Sequence, residues 1–196
     1  MRVLIAPDGF AGTLGAAAAA AAIAEGWART APRDELDLAP LSDGGPGLVD
    51  VLAAALPAAV LHLVEVEDPL ARPVPATFLL DGSTAYVESA QACGLHLLAD
   101  DERDPGHTTT YGVGQLVRAA VEAGATRVVV GLGGSATNDG GAGLLAALGV
   151  VRLDAAGERL APGGLALREL DRLDGRPELP GVELVVATDV DAPLLG

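Results

Sequence analysis

The amino-acid sequence predicts an α/β fold in which short buried strands alternate with helices. The first observation is an alternation of sequence patterns: β-branched runs at residues 3–6 and 127–130 alternate with longer alanine- and leucine-rich runs, such as residues 15–29. The second is composition, because the 196-residue chain is 50% hydrophobic but only 3% aromatic. Alanine supplies much of the apolar share. We therefore expect a core of small side chains between closely packed layers.

The N-terminal part contains a strand–loop–helix unit that occurs twice. A first strand is predicted at residues 3–6, apolar throughout and therefore expected to be buried on both faces. The next elements are a helix at 15–29, which Pro32 ends, a weaker strand at 35–39 and a helix at 49–56.

After residue 59 the alternation of strands and helices stops, and several strands are predicted in succession. Successive strands are predicted at 60–66, 74–80 and 85–88, with turns at Asp68 and Asp81, and we place a domain boundary near Asp68. The later elements are a helix around 113–121, a strand at 127–130, a helix that ends at 148–149, a strand near 151 and a last strand at 182–187. Residues 154–180 are loop-rich and receive no assignment.

Composition excludes several classes of function. With 12 basic and 27 acidic residues the net charge is −15, so the chain lacks the positive surface of a nucleic-acid binder. It contains no lysine, which excludes a Walker P-loop and a Schiff-base enzyme. The single Cys93 cannot form an internal disulfide and is interpreted as a small buried hydrophobic residue. No signal-peptide core or membrane span is recognisable, so a cytoplasmic location is expected.

The most informative segment is the glycine loop, residues 131–143, with the sequence Gly-Leu-Gly-Gly-Ser-Ala-Thr-Asn-Asp-Gly-Gly-Ala-Gly. It lies between a predicted strand and a predicted helix, where consecutive glycines let backbone N–H groups converge on an anion. The candidate phosphate- and nucleotide-binding residues are Gly133, Gly134, Ser135, Thr137 and Asn138.

Asp139 in the same loop is expected either to cap the following helix or to face a metal ion. A second interpretation of this segment also exists. Gly131, Gly133 and Ala136 match the G-x-G-x-x-G/A dinucleotide fingerprint, with Asp154 downstream. That interpretation requires a helix that begins directly after Gly133 and contains three further glycines. A helix that begins near Asp139 or Gly141 avoids their cost of about 1 kcal/mol each.

Three acidic clusters fall on loops that follow predicted strands: Asp8, Asp43, and the pair Asp189 and Asp191. Open α/β sheets bind ligands at the carboxyl ends of their strands. Asp189 and Asp191 are two positions apart, which places both carboxylates on one face if the strand continues. We predict Asp189 as a metal ligand and the pair as candidates for the catalytic base, with Asp43 as a further catalytic residue.

Several motifs occur together in one order along the whole chain. They are Ala-Pro-Asp at 6–8 with Phe10 and Gly12, Leu-Ser-Asp-Gly-Gly at 41–45, Asp-Pro-Leu at 68–70 with Arg-Pro-Val at 72–74, Thr-Thr-Thr-Tyr-Gly at 108–112, the glycine loop, and Asp-Val at 189–190 before Pro-Leu at 193–194. With these motifs the chain resembles the N-terminal part of glycerate kinases that phosphorylate D-glycerate at the 2-position.

The resemblance implies two α/β domains, one inserted in the other, built as three-layer folds with a parallel or mixed sheet. Residues 1–67 would form part of a first, incomplete domain, and residues 68–196 the inserted domain. It also implies ATP and Mg²⁺ as cofactors and glycerate as substrate; it says nothing about oligomeric state. The candidate substrate-binding residues are Asp8, Arg72, Glu88 and Thr109. Arg72 is chosen because a guanidinium can bind a carboxylate with two parallel hydrogen bonds.

Two motifs depart from the family pattern. Ala11 stands where the family typically has lysine, and Pro46 and Leu48 stand where it has glutamate and threonine. Typical members also continue well beyond the last motif, so we expect either a fragment or a truncated paralogue. Two alternatives to an active kinase therefore stay open: a catalytically impaired binding protein for small acids or nucleotides, and a fragment of a dinucleotide-binding oxidoreductase.

Overall fold

The structure is a computed structural model that describes residues 1–10 and 12–190. Nine strands and five α-helices are defined within these ranges, together with three short 3₁₀ helices. In chain order the elements are β1 (Arg2–Ile5), α1 (Ala16–Thr30), β2 (Glu35–Leu38), α2 (Leu48–Ala55), β3 (Val60–Glu67), β4 (Pro73–Asp81), β5 (Thr84–Glu88), α3 (Ala90–Cys93), α4 (Tyr111–Glu122), β6 (Arg127–Gly131), α5 (Ala142–Ala147), β7 (Val151–Leu153), β8 (Arg172–Asp174) and β9 (Glu183–Ala187). The prediction of an α/β protein is confirmed.

The repeated strand–loop–helix unit is also confirmed. β1 and β2 pair in parallel, from Arg2 opposite Glu35 to Ile5 opposite Leu38. Because the strands are parallel, the loops that follow them leave from the same edge of this small sheet. The Leu41 amide donates to the Pro7 carbonyl at 2.9 Å, so the two loops run side by side.

The expected burial of β1 on both faces is wrong. Ile5 is 5% exposed, but Leu4 on the opposite face is 65% exposed. Among the described residues β1 pairs only with β2, and no element covers the face that carries Leu4. An apolar strand sequence indicates that burial is tolerated on both faces, but it does not say whether an element lies there to provide it.

A five-stranded mixed sheet in the order β3-β4-β5-β6-β9 forms the centre of the structure. The pairs β3–β4 and β4–β5 are antiparallel, whereas β5–β6 and β6–β9 are parallel. Glu88, Gly131 and Ala187 lie side by side at the carboxyl ends of the three parallel strands. The loops after these strands therefore leave from one edge, where open α/β sheets bind their ligands.

The domain boundary predicted near Asp68 falls in the turn between β3 and β4. These strands pair over their full length, from Val60 opposite Leu80 to Glu67 opposite Pro73. β3, which the prediction placed in the first domain, therefore shares a sheet with the strands that follow it. The division into residues 1–67 and 68–196 stays a prediction.

Small and medium-sized side chains fill the main core, as the composition predicts. Leu116 and Val117 of α4 are fully buried in one cluster with sheet residues such as Phe78 and Val128. Each fully buried side chain of this size contributes about 1.5–3 kcal/mol relative to an exposed one. Gly114 lets α5 approach α4 closely, because a Cβ atom at this position would lie 2.6 Å from the Cβ atom of Ala147.

The unassigned segment 154–180 contains one further strand, β8, which pairs antiparallel with β7. A 3₁₀ helix at Leu165–Glu169 precedes it. Within residues 1–10 and 12–190, no helix has the length and apolar character needed to cross a membrane.

Candidate functional site

The loop that follows β2 packs directly on the ends of β6 and β9. A Cβ atom on Gly44 would lie 2.7 Å from the Ala187 carbonyl oxygen, and one on Gly133 would lie 2.5 Å from the Cα atom of Gly45. Gly44 also has φ +99°, a conformation that residues with a side chain rarely adopt. Glycines on both loops are therefore needed for the contact, which brings the Asp43 segment beside the glycine loop.

The first part of the glycine loop is held by backbone hydrogen bonds to the segment after α3. The Ala136 amide donates to the Cys93 carbonyl at 2.7 Å, and the Leu95 amide donates to the Gly134 carbonyl at 2.9 Å. The amides of Gly133, Gly134 and Ser135, by contrast, have no acceptor within residues 1–10 and 12–190. Consecutive free amides in a fixed loop are the donors that a phosphate group requires.

Asp139 fixes the second part of the glycine loop. It is completely buried, and both of its carboxylate oxygens accept hydrogen bonds. Oδ1 accepts from the Gly141 amide and the Thr110 hydroxyl at 3.0 Å each, and Oδ2 accepts from the Thr110 amide at 2.9 Å and the Gly143 amide at 3.0 Å. This saturation agrees with the predicted helix cap and leaves no free oxygen for the predicted metal ion.

The three consecutive threonines at 108–110 also hold the glycine loop in place. The Thr108 hydroxyl donates to the Ala136 carbonyl at 2.8 Å, and the Thr137 hydroxyl donates to the Thr108 carbonyl at 2.9 Å. Thr109, predicted to bind substrate, is 3% exposed, and its hydroxyl donates to Asp139 at 3.3 Å. Thr109 thus contacts the loop from within the fold, and Thr137 of the loop donates back to the threonine run, so the hydroxyl protons of both residues are already used.

Glu88, another predicted substrate-binding residue, lies at the end of β5 and is 5% exposed. Its Oε2 accepts hydrogen bonds from the amides of Gly47 at 3.0 Å and Val49 at 3.3 Å, which lie at the start of α2. A carboxylate is favourable at the amino end of a helix. Burial nevertheless raises the pKa of Glu88, and the two amide hydrogen bonds offset a part of this rise. Glu88 therefore links the five-stranded sheet to the Asp43 loop.

The predicted acidic residues Asp8, Asp43 and Asp189 are all exposed at the carboxyl ends of strands. The Asp43 carboxylate accepts from the Gly45 amide at 2.8 Å, which shapes its loop. Asp189 follows β9, beside the contact between Gly44 and Ala187. The structure thus brings the loops of all three residues to the same region. Asp191, the other predicted base, lies outside the described residues, as does Ala11.

Arg72 lies in the turn between β3 and β4, and carboxylates of the chain itself engage its guanidinium. Nε donates to Asp68 and Nη1 donates to Glu102, both at 2.6 Å, and Nη2 donates to the Leu97 carbonyl at 3.2 Å. The hydrogen bond to Asp68, followed by the one to Glu102, raises the pKa of Arg72. The geometry joins the turn to the segment after α3, and the donors that were predicted to bind a substrate carboxylate are occupied.

A cavity of about 430 Å³ lies beneath the glycine loop, between β6, β9 and the helices α4 and α5. Its lining includes apolar residues such as Val113, Val130 and Leu144. Burial raises the pKa of the Cys93 thiol in this cavity to about 11, and the Ser135 hydroxyl, 3.8 Å from the sulfur, offsets a part of the rise. The interpretation of Cys93 as a buried hydrophobic residue agrees with this environment, because a thiol with a raised pKa is a poor nucleophile.

The contacts that organise the site could not be predicted from the local sequence. The pairing of Gly44 and Gly45 with Gly133 connects positions almost ninety residues apart, and only the combination of two glycine pairs after two strands could have indicated it. The helix start was predicted correctly, since α5 begins at Ala142 with Gly141 as its N-cap. This start opposes the dinucleotide interpretation, which requires a helix directly after Gly133.

The fold and the site together define a mixed α/β protein in which a glycine-rich loop follows a central parallel strand. The family model described as "Glycerate kinase family" matches residues 3–196. The chain is 46% identical to a glycerate kinase of Bacillus subtilis and 41% identical to a glycerate 2-kinase of Escherichia coli. Each match covers 100% of this chain and 52% of the relative. The chain belongs to the glycerate kinase family.

A solved structure agrees with this assignment. The crystal structure of a protein named as a glycerate kinase 2 from Salmonella typhimurium LT2 superimposes with a TM-score of 0.83 at 40% identity. The superposition covers 100% of this chain and 54% of that one. The chain thus spans about half the length of the relatives that it matches.

Proposed function

We propose that this chain provides the ATP- and glycerate-binding surface of a kinase that transfers the γ-phosphate of ATP to a hydroxyl of D-glycerate. Such a reaction between small metabolites would take place in the cytoplasm. The observation that carries the proposal is the row of free amides at Gly133, Gly134 and Ser135 at the carboxyl end of a central parallel strand. Membership of the glycerate kinase family supports the choice of substrate.

The glycine loop is suited to bind the phosphates of ATP through its backbone. Phosphoryl transfer depends on positioning and on charge neutralisation, so fixed amide dipoles contribute without any covalent step. Gly134 has φ +64°, and a Cβ atom there would lie 3.1 Å from Pro46. Pro46, one of the departures from the family pattern, thus packs against the loop on the side of the Asp43 segment. Asn138 is exposed on the loop and can donate a further hydrogen bond to the nucleotide.

Magnesium would supply the positive charge that a chain without lysine lacks at this site. Among the residues that the structure describes, no cluster of three His, Cys, Asp or Glu forms a ready metal site. A Mg²⁺ ion bound with ATP needs only one or two carboxylates, since phosphate oxygens and water complete its shell. Asp189 fits this role, because it is exposed and its carboxylate has no partner among the described residues. Asp139 does not fit, because its oxygens are saturated.

Glycerate would lie between the Asp8, Asp43 and Asp189 loops. Asp43 and the pair Asp189 and Asp191 are the candidates for the base that accepts the proton of the attacking hydroxyl. Asp8 can accept a hydrogen bond from the other hydroxyl of glycerate. For Arg72 we propose a positioning role in the turn after β3, because carboxylate binding would require it to leave Asp68 and Glu102.

The test is a kinase assay with ATP, Mg²⁺ and D-glycerate, in which ³¹P NMR identifies the phosphorylated product. It is carried out on this chain and on a fusion with the part of the Bacillus subtilis enzyme that the match leaves uncovered. We expect phosphoglycerate from the fusion. Asp189→Asn should lower kcat at least 100-fold and retain ATP binding, whereas Asp101→Asn, on an exposed 3₁₀ helix, should be neutral.

Two outcomes would contradict the proposal. Full activity of the Asp189→Asn fusion over a range of Mg²⁺ concentrations would remove Asp189 from both of its proposed roles. ATP binding without turnover, in a correctly folded fusion, would favour the alternative of a catalytically impaired binding protein.

A further inference from the structure

A second cavity lies beside α5 and β7 and shares no lining residue with the cavity beneath the glycine loop. Its volume is about 480 Å³, within the usual range for small-molecule sites. It is lined by two arginines, one tyrosine and apolar residues, among them Arg152, Arg159, Tyr111, Val150, Leu160 and Pro162. No carboxylate lines this cavity in the part of the chain that the structure describes.

Of the twelve arginines in this acidic chain, half pair with a carboxylate among the described residues, and the two that line the cavity do not. Six other arginines pair with a carboxylate: Arg2, Arg29, Arg72, Arg103, Arg127 and Arg172. Neither Arg152 nor Arg159 forms an ion pair or a side-chain hydrogen bond within residues 1–10 and 12–190. Both nonetheless line the same cavity.

Arg152 provides the strongest single observation. Its Nη1 atom is buried and has no hydrogen-bond partner among the described residues. A buried donor without an acceptor is destabilising, and for a charged group the cost is larger still. An anion in the cavity would give this nitrogen an acceptor and a counter-charge.

Local structure holds both arginines at this place. Arg152 lies in β7, where it is opposite Leu173 of β8, and its carbonyl accepts from the Leu160 amide at 3.0 Å. Arg159 is opposite Leu153 in an isolated bridge and is exposed, so it lies at the rim. One guanidinium is thus partly buried on a strand, and the other is accessible from solvent.

We propose that this cavity binds a small organic anion through Arg152 and Arg159, at a site separate from the glycine loop. The charged group would be a carboxylate or a phosphate, both of which match the guanidinium fork. A cavity of this volume is too large for a bare oxyanion alone, and Val150, Leu160 and Pro162 offer apolar contact for a carbon skeleton.

Calorimetric titration of the 196-residue chain at 0.15 M NaCl tests the proposal with three ligands: inorganic phosphate, glycerol 3-phosphate and citrate. We expect saturable 1:1 binding of at least one organic anion, tighter than that of inorganic phosphate. Preference between glycerol 3-phosphate and citrate identifies the charged group. Saturation with ATP and Mg²⁺ should leave this binding in place, so its outcome is separate from that of the kinase assay.

Three variants assign the binding to the cavity. Arg152→Gln and Arg159→Gln should each weaken it at least tenfold. Arg33→Gln, which removes the same charge from an exposed position elsewhere, should change it less than twofold. Arg159 is exposed, so its variant carries the test if Arg152→Gln does not fold. Absence of saturable binding, unchanged affinity in the cavity variants, or an equal loss in Arg33→Gln would overturn the proposal.

Discussion

Replacing Asp139 by asparagine tests whether this carboxylate holds the glycine loop. Asparagine has nearly the same shape, but one oxygen becomes an NH₂ group that donates. In the less damaging orientation the NH₂ group takes the place of Oδ1. The Thr110 hydroxyl retains an acceptor, because it is also 3.0 Å from Oδ2, whereas the Gly141 amide, 3.0 Å from Oδ1, then faces a donor.

The magnitude follows from these contacts. Loss of one hydrogen bond to a charged group costs about 1.5–3 kcal/mol, and a buried donor without an acceptor costs about 1–3 kcal/mol. We therefore expect the free energy of unfolding to fall by about 3–5 kcal/mol, a large part of the roughly 5–15 kcal/mol of a typical domain. With a urea m-value of about 2–3 kcal/mol/M the unfolding midpoint should fall by about 1–2.5 M.

Urea unfolding followed by circular dichroism measures this change, with Asp154→Asn as the matched control. The Asp154 carboxylate also accepts hydrogen bonds from two backbone amides, those of Ala156 at 2.9 Å and Glu158 at 2.8 Å, but it does so in an exposed turn. Water can replace these bonds, so the control should lose less than about 1 kcal/mol. A loss for Asp139→Asn no larger than that of the control would refute the reasoning.

Three further predictions concern packing and titration. Gly133→Ala should destabilise the protein and weaken ATP binding, since its Cβ atom would meet the Gly45 backbone at 2.5 Å, whereas Gly26→Ala, in open space within α1, should stabilise by about 0.5–1 kcal/mol in urea unfolding. Because the pKa of Glu88 is raised, the folded state binds a proton at Glu88 more tightly than the unfolded state does. The contribution of Glu88 to the free energy of unfolding therefore falls as the pH rises above the ordinary pKa of a glutamate. Glu88→Gln keeps the acceptor oxygen and should gain stability relative to the wild type as pH increases from 4 to 7; a constant difference would contradict this. The Cys93 thiol should resist a disulfide reagent at pH 8 in the folded protein and react in urea, and rapid labelling without urea would refute the burial argument.

Helices and strands that have a local sequence pattern could be predicted from the sequence. The helices α1 and α4 and all five strands of the central sheet were predicted within a few residues, because apolar periodicity and turn residues define them. β8 was missed, since its three residues are exposed and carry no apolar pattern. The exposure of Leu4 was missed for another reason, because burial of a strand depends on elements that are distant in sequence.

In the candidate site, too, features with a local sequence pattern were predicted, and features that depend on distant residues were not. The glycine loop was recognised from its own composition, and the start of α5 from the cost of glycines in a helix. The role of Asp139 depends on Thr110, about thirty residues earlier, and the role of Glu88 depends on the start of α2. For Arg72 the residue type alone was misleading. A guanidinium suits the carboxylate of a ligand, but here it donates to the carboxylates of Asp68 and Glu102 of the chain itself.

The most direct test of the phosphate-binding loop is a ¹H–¹⁵N NMR titration of the chain with a non-hydrolysable ATP analogue and Mg²⁺. We expect the amide resonances of Gly133, Gly134 and Ser135 to shift most and to saturate together, because these amides would donate to phosphate oxygens. Adenosine, which has no phosphates, should leave them in place. Saturable binding of the analogue with these three resonances unmoved would contradict the central claim.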